Sequence, residues 1–271
     1  MTEKKYRASI GISRSELWRM NESPEKFKWF KDHPPAATEA LLFGQVIHKL
    51  LLEPETFGEQ FMVMPDLNLR TKEGRAIRDS LEADCAERGI TLVSVEIVAQ
   101  AKEMVEKCRS DPEVVSLLNG AHEQEFFWTD ELTGEKCKCR VDCLTEIDGD
   151  LVIVDYKTTT NADTFHFVRD IYKYGYHFQS AMYGEGVRVN LGLNKLPRFI
   201  FIAQEKKPPF AINRIELLED VIQLGYDKFR EFIGTYHDCK EADLWYGYNG
   251  VYNETNEAYL LEWVKDGDDA E

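Results

Sequence analysis

The chain has 271 residues, with 33 Lys+Arg against 49 Asp+Glu and a formal net charge of −16 at pH 7. That length is enough for one large domain or two small ones, and 43% hydrophobic with 12% aromatic residues excludes wholesale disorder. The acidity argues against holding nucleic acid or an anionic membrane by bulk charge, and no run approaches the ~20 apolar residues of a membrane span.

The opening MTEKKYRASI lacks the apolar stretch of a signal peptide, so the expected location is the cytoplasm. Cys85, Cys108, Cys137, Cys139, Cys143 and Cys239 then read as reduced thiols, and those in strands as small core residues. The first third reads helical. Ser13 and Glu16 make a capping box ahead of Leu17 and Trp18. A helix over Thr38–Leu52 is apolar at Leu41, Leu42, Val46, Leu50 and Leu51 and stops before Pro54; Gly44 on it is expected to admit a close backbone approach. Helices follow over Lys72–Arg88 and Ser94–Arg109, and Asp111-Pro112 starts another.

Strands are expected over Glu123–Trp128, Lys136–Ile147 and Leu151–Thr158. A helix over Thr164–Val189, a strand over Arg198–Gln204 and a closing helix over Ile215–Ile233 complete the pattern. Adjacent strands with helices before and after indicate an α/β (α+β) layered fold. From Glu254 the chain is an acidic tail, expected to be a solvated end.

The sharpest signal is KCKCRVDCLTEIDGDLVIVDYKTT. Asp148-Gly149 is a strong hairpin turn, because a type I′ turn needs positive φ at both central residues. Closing the hairpin there places Cys143 opposite Val154, Asp142 opposite Asp155 and Arg140 opposite Lys157. Two carboxylates at a cross-strand separation of about 5 Å repel, and a divalent cation reverses the sign of that energy. Hard oxygen ligands suit Mg²⁺ or Mn²⁺. Lys157, two residues past Asp155, shares its face. Asp, Asp and Lys on one strand face are the parts of metal-assisted phosphodiester hydrolysis. A third acid comes from the preceding strand. A four-residue loop at Glu131–Gly134 brings Glu123 to Asp142, and a two-residue loop at Thr133-Gly134 brings Glu125 there. His48 on its helix offers an imidazole that can complete such a site.

Several stretches together resemble the PDDEXK nuclease superfamily, within it the RecB-type nucleases, and most closely the phage and prophage RecE-like exonucleases of exodeoxyribonuclease VIII type. They are ISRSELWRMNESPEKFKW, LLFGQVIHKLLLEPETF, RTKEGRAIRD, HEQEFFWTDELTGEKCKCRVDCL, IVDYKTT, YKYGYHFQSAMYGEG and FIFIAQEKKPPF. The resemblance implies a restriction-endonuclease-like core, a central mixed sheet flanked by helices, with a helical N-terminal part. It implies one domain over 1–271: residues 1–120 mainly helical, 121–235 the catalytic core, 236–271 an extension with the acidic tail. It implies His48, Asp142, Asp155 and the Tyr156 carbonyl as metal ligands, with Glu123 as the upstream acid and Lys157 as the catalytic lysine. Gln179 and Tyr183 match the family's QxxxY motif, and Asp155 stands where many members have Glu. By the same resemblance, Arg70, Lys72, Arg75 and Arg78 would grip DNA phosphates. The implied activity is Mg²⁺-dependent (or Mn²⁺-dependent) 5′→3′ digestion of double-stranded DNA ends, leaving 3′ overhangs for recombination. A single-strand annealing protein would be the partner, and the assembly a trimeric or tetrameric ring whose basic channel offsets the acidic exterior.

Overall fold

The computed structural model describes residues 3–36 and 38–258. The acidic tail expected beyond Glu254 lies largely outside them. In chain order the elements begin with α1 (Glu3–Ala8), β1 (Ile12–Ser13), α2 (Arg14–Leu17), α3 (Pro24–Asp32), α4 (Glu39–Leu52) and α5 (Phe57–Gln60). Then come β2 (Phe61–Val63), α6 (Lys72–Arg88), β3 (Thr91–Val93), α7 (Val95–Arg109) and α8 (Pro112–Leu117). The second half holds β4 (Ala121–Thr129), β5 (Lys136–Ile147), β6 (Asp150–Thr159), α9 (Thr164–Lys173), α10 (Tyr176–Leu191), β7 (Arg198–Glu205), β8 (Ile212–Glu216) and α11 (Glu219–Ala242). Among the described residues no helix is long and apolar enough to cross a membrane.

Side-chain caps start the long helices where the sequence places them: Thr38, Thr71, Ser94 and Asp111 each accept a backbone N–H of the first turn. Two helix expectations need correction. The run Thr164–Val189 is broken at Gly175, which takes φ 68° and packs so tightly on the Trp18 indole that no Cβ fits. The run Ile215–Ile233 opens as strand, because Ile212–Glu216 pairs with β7 and the helix starts only at Glu219. Gly44 has open space where a Cβ would sit, so no backbone approaches it closely. The short strands β1, β2 and β3 carry too few residues for a period to show.

The main sheet is mixed and runs β1-β5-β6-β7-β8, with β4 on the other edge of β5. Two cores sandwich it. On one face Val152, Val154 and Tyr156 pack with Val46 and Ile47 of α4 and Met104 and Val105 of α7. On the other, Ile153 and Phe201 pack with Phe178 and Met182 of α10 and Phe229 and Phe232 of α11. Each such fully buried side chain contributes about 1.5–3 kcal/mol.

Helices α10 and α11 pack closely along one seam. Gly225 lies against the His177 carbonyl, where an added methyl would collide with backbone. Gly225→Ala is therefore expected to lose about 1–3 kcal/mol as a shift of the urea midpoint, although alanine is the better helix former.

Candidate active site

The hairpin forms in the expected register, from Ile147↔Asp150 to Cys143↔Val154, with Asp148 and Gly149 both at positive φ. The ladder ends there, and the strands fork. Strand β5 keeps β4 along one edge. On its other edge it pairs with β1 at Cys137 and Lys138, and with β6 only from Cys143 onward. The edge between is open, while β6 runs on beside β7 to Thr159. Asp142 and Asp155 are consequently not a cross-strand pair, and Arg140 does not face Lys157. Arg140 instead pairs across β4 with Glu125, at 2.7 Å, and lies 3.8 Å from Glu123.

Glu123 stands opposite Asp142, between the paired Gln124↔Val141 and His122↔Cys143. The turn between β4 and β5 decides this: Gly134 N–H donates to the Asp130 carbonyl and Asp130 N–H to Glu135, which closes the four-residue loop. At that position both strands switch faces. Cys139 and Val141 belong to the α10–α11 core, whereas Cys143 belongs to the α4–α7 core. Glu123 takes φ 49°, a left-handed conformation that costs a non-glycine residue roughly 1 kcal/mol or more. Strain of this kind persists only where surrounding contacts hold it.

The Asp142 carboxylate spans the fork. Its Oδ2 accepts the Tyr156 N–H at 2.9 Å, replacing a lost ladder bond, and lies 3.4 Å from His48 Nδ1. The N–H and carbonyl of one strand residue point to the same edge, so the Tyr156 carbonyl also faces the gap. Helix α4 brings the His48 ring edge-on to the Tyr156 ring at 5.4 Å. One nitrogen of His48 and one oxygen each of Glu123 and Asp142 lie within 4.8 Å of one another, all three half-buried. Among the described residues this is the cluster whose donors fit a divalent metal: one imidazole, two hard carboxylates and a carbonyl beside them.

Asp155 is not one of these three and is 1% exposed. One oxygen accepts from the Lys157 ammonium, the other from the Gln179 amide. Burial pushes its carboxyl up to about 6, the Asp142 charge adding to the rise and Lys157 opposing it. Burial alone would pull the Lys157 ammonium down, but Asp155 and Asp142 outweigh it and hold the amine above its ordinary value. The ammonium also faces the Tyr176 ring at 5.2 Å. Tyr183, one turn after Gln179 on α10, packs on the same core, and burial pushes its phenol well above the ordinary value.

Arg70, Lys72, Arg75 and Arg78 lie around the start of α6, with local contacts: Arg75 donates to the Leu69 and Arg70 carbonyls, and Arg78 pairs with Asp79. All six cysteines are free and buried. Burial pushes Cys108, Cys137 and Cys143 up to about 12, which suits inert core thiols. The sequence reading passes over Arg14 and Tyr176 and pairs Arg140 wrongly. A lone arginine beside a capping box carries no pattern that marks it, and Arg140 is legible only once Glu123 has been put in register.

No curated protein matches the chain in sequence. Among solved structures, a Eubacterium rectale protein described as a "putative exonuclease" superposes with a TM-score of 0.62 at 17% identity, over 99% of this chain and 98% of its own. Another, SSO0001, covers 70% of this chain and 86% of its own at 15% identity, with a TM-score of only 0.29. The first likeness extends the shared fold over nearly the whole length. The model of one family matches residues 13–256, which include all the strands of the fork from Ser13 onward and the helices from α2 to α11: the chain belongs to the family described as a PDDEXK-like domain of unknown function (DUF3799).

Proposed function

We propose that the protein is a Mg²⁺-dependent exonuclease that digests double-stranded DNA from its ends in the 5′→3′ direction, leaving 3′ overhangs for recombination. The observation that carries the reading is the fork. A strand edge left open beside His48, Glu123 and Asp142 stands next to the buried Asp155, held by Lys157 and Gln179. His48, Glu123, Asp142 and the Tyr156 carbonyl would hold the metal, with Asp155 reaching it on release from Lys157. When bound, the ion supplies Lewis acidity toward a phosphodiester and lowers the pKa of attacking water. Lys157 then offers its ammonium to the charge that develops on the phosphate oxygens. Gln179 fixes the Asp155 carboxylate, and Tyr183 presents a protonated phenol from the next turn. Around this centre we place Arg70, Lys72, Arg75 and Arg78 on the DNA backbone. A trimeric or tetrameric cytoplasmic ring, handing its product to a single-strand annealing protein, would turn the net −16 outward.

The test is digestion of linear duplex DNA, labelled at either the 5′ or the 3′ end, against closed circular duplex, with Mg²⁺, Mn²⁺ or EDTA. Mononucleotide release from the 5′ label, with Mg²⁺ and only on linear DNA, is the expected result. Nicking of the circle would make the protein an endonuclease; no cleavage under any condition would leave a binding module.

A further inference from the structure

The open edge of β5 has a second wall. Strand β1 ends at Ser13, so Arg14 is the first residue past the point where the edge opens. Its guanidinium lies on the α10 side of the sheet, 5.7 Å from the Trp18 ring and 5.9 Å from the Tyr176 ring. The Tyr176 ring is the one that Lys157 also faces. Arg14 Nη2 donates to the Tyr174 carbonyl, while Nε is enclosed without any partner. Other arginines drawn into the protein are matched by acids: Arg140 by Glu125, Arg188 by Glu185, Arg230 by Asp130. Arg14 has no such partner among the described residues. Asp155, whose charge reaches it, already has one oxygen taken by Lys157 and the other by Gln179.

A half-buried cation with an enclosed Nε and no anion is costly, and two ring faces offset only part of that cost. A guanidinium fork matches the oxygens of a phosphate. Three carboxylates at the fork must also receive a polyanion, and the nearby Lys157 is bound to Asp155. We infer that Arg14 is a further phosphate-contacting residue, set at the fork itself: it takes a non-bridging oxygen of the nucleic-acid strand that lies along the open edge. The inference rests on the nuclease reading above and adds to it a group that receives the substrate backbone at the fork.

The experiment combines Arg14→Met and Arg14→Lys with a scan of linear duplexes, each carrying one neutral methylphosphonate near the end. Binding is read by fluorescence anisotropy with Ca²⁺, and cleavage with Mg²⁺. Arg14→Met is expected to weaken both about 10- to 100-fold, with Arg14→Lys recovering part. At one methylphosphonate position the wild type should lose the same factor and Arg14→Met nothing more; a merely structural arginine would not produce that coincidence. The Mn²⁺ affinity of Arg14→Met should stay at the wild-type value, and its urea midpoint should hold or rise, since an uncompensated charge is removed. Additive losses at every position, unchanged DNA binding, or loss of Mn²⁺ binding would overturn the assignment. A wild type that binds DNA without cleaving it defeats the nuclease reading, and the binding arm still decides Arg14. A wild type that does neither defeats both.

Discussion

Asp142→Asn is expected to abolish the stabilisation that Mg²⁺ or Mn²⁺ gives the wild type, together with DNA cleavage, while leaving the metal-free fold intact. Asparagine keeps the shape, and its amide oxygen can still accept the Tyr156 N–H that Asp142 Oδ2 accepts at 2.9 Å. What it removes is one of the two negative ligands in the His48–Glu123–Asp142 cluster. Without metal, the loss of a charge beside Glu123 and Asp155 relieves repulsion, so the urea midpoint should hold or rise slightly. With metal at 100 times its dissociation constant, a bound ion adds about 2.7 kcal/mol to the wild type. For a chain of this size that is a Tm rise of roughly 5–10 °C. The variant should show none of that rise, and cleavage should fall by about 10³-fold or more, since the Lewis acid is no longer held. A full metal-induced Tm shift in Asp142→Asn would place the ion elsewhere.

How much of this centre the sequence discloses depends on which interactions are local. The Asp148-Gly149 turn is chemistry of two adjacent residues, and it sets the register from Ile147↔Asp150 to Cys143↔Val154 without help from the rest of the fold. The caps at Thr38, Thr71, Ser94 and Asp111 are local in the same way. The fork is not. It arises because β1, a two-residue strand from the N-terminal region, takes the same edge of β5 that β6 leaves. Extending a period-2 ladder through Asp142 therefore fails at the position that matters most, where Glu123 turns to positive φ and the faces exchange. The rule that breaks marks the candidate site, as expected where function overrides local consistency. The choice between Glu123 and Glu125 turns on a loop whose length is written in hydrogen bonds of Asp130, a residue with no distinctive sequence context. His48, Asp142, Asp155 and Lys157 are all named by residue type, yet their division into a half-buried candidate metal cluster and an ion pair on the buried Asp155 comes only from packing.

That division yields the second large effect. Asp155 is buried and Lys157 only half-buried, so removing the lysine leaves an enclosed carboxylate without compensation, at a cost of about 3–5 kcal/mol, whereas removing the acid leaves an amine that still reaches solvent. The two single variants should differ, and Asp142 decides the order. In Asp155→Asn the ammonium keeps the attraction of Asp142, one of the charges that hold it up. In Lys157→Met the Asp155 carboxylate keeps the Gln179 amide but loses its ammonium, while its burial and the repulsion of Asp142 both drive it toward protonation. Lys157→Met is thus expected to lose about 3–5 kcal/mol at pH 7 and Asp155→Asn about 1–3 kcal/mol, both measured by urea denaturation. The double variant replaces the pair by neutral groups of similar shape and should recover most of the loss, so the coupling energy should exceed the whole of the Asp155→Asn loss. Cleavage does not follow stability in this cycle. All three variants, the well-folded double variant included, should lose cleavage of end-labelled linear duplex, because in the proposed chemistry Lys157 acts on the charge developing at the phosphate and not only on the packing of Asp155. If the double variant cleaves as fast as the wild type, the ammonium is a structural counter-ion and the proposed chemistry must use another cation at the fork.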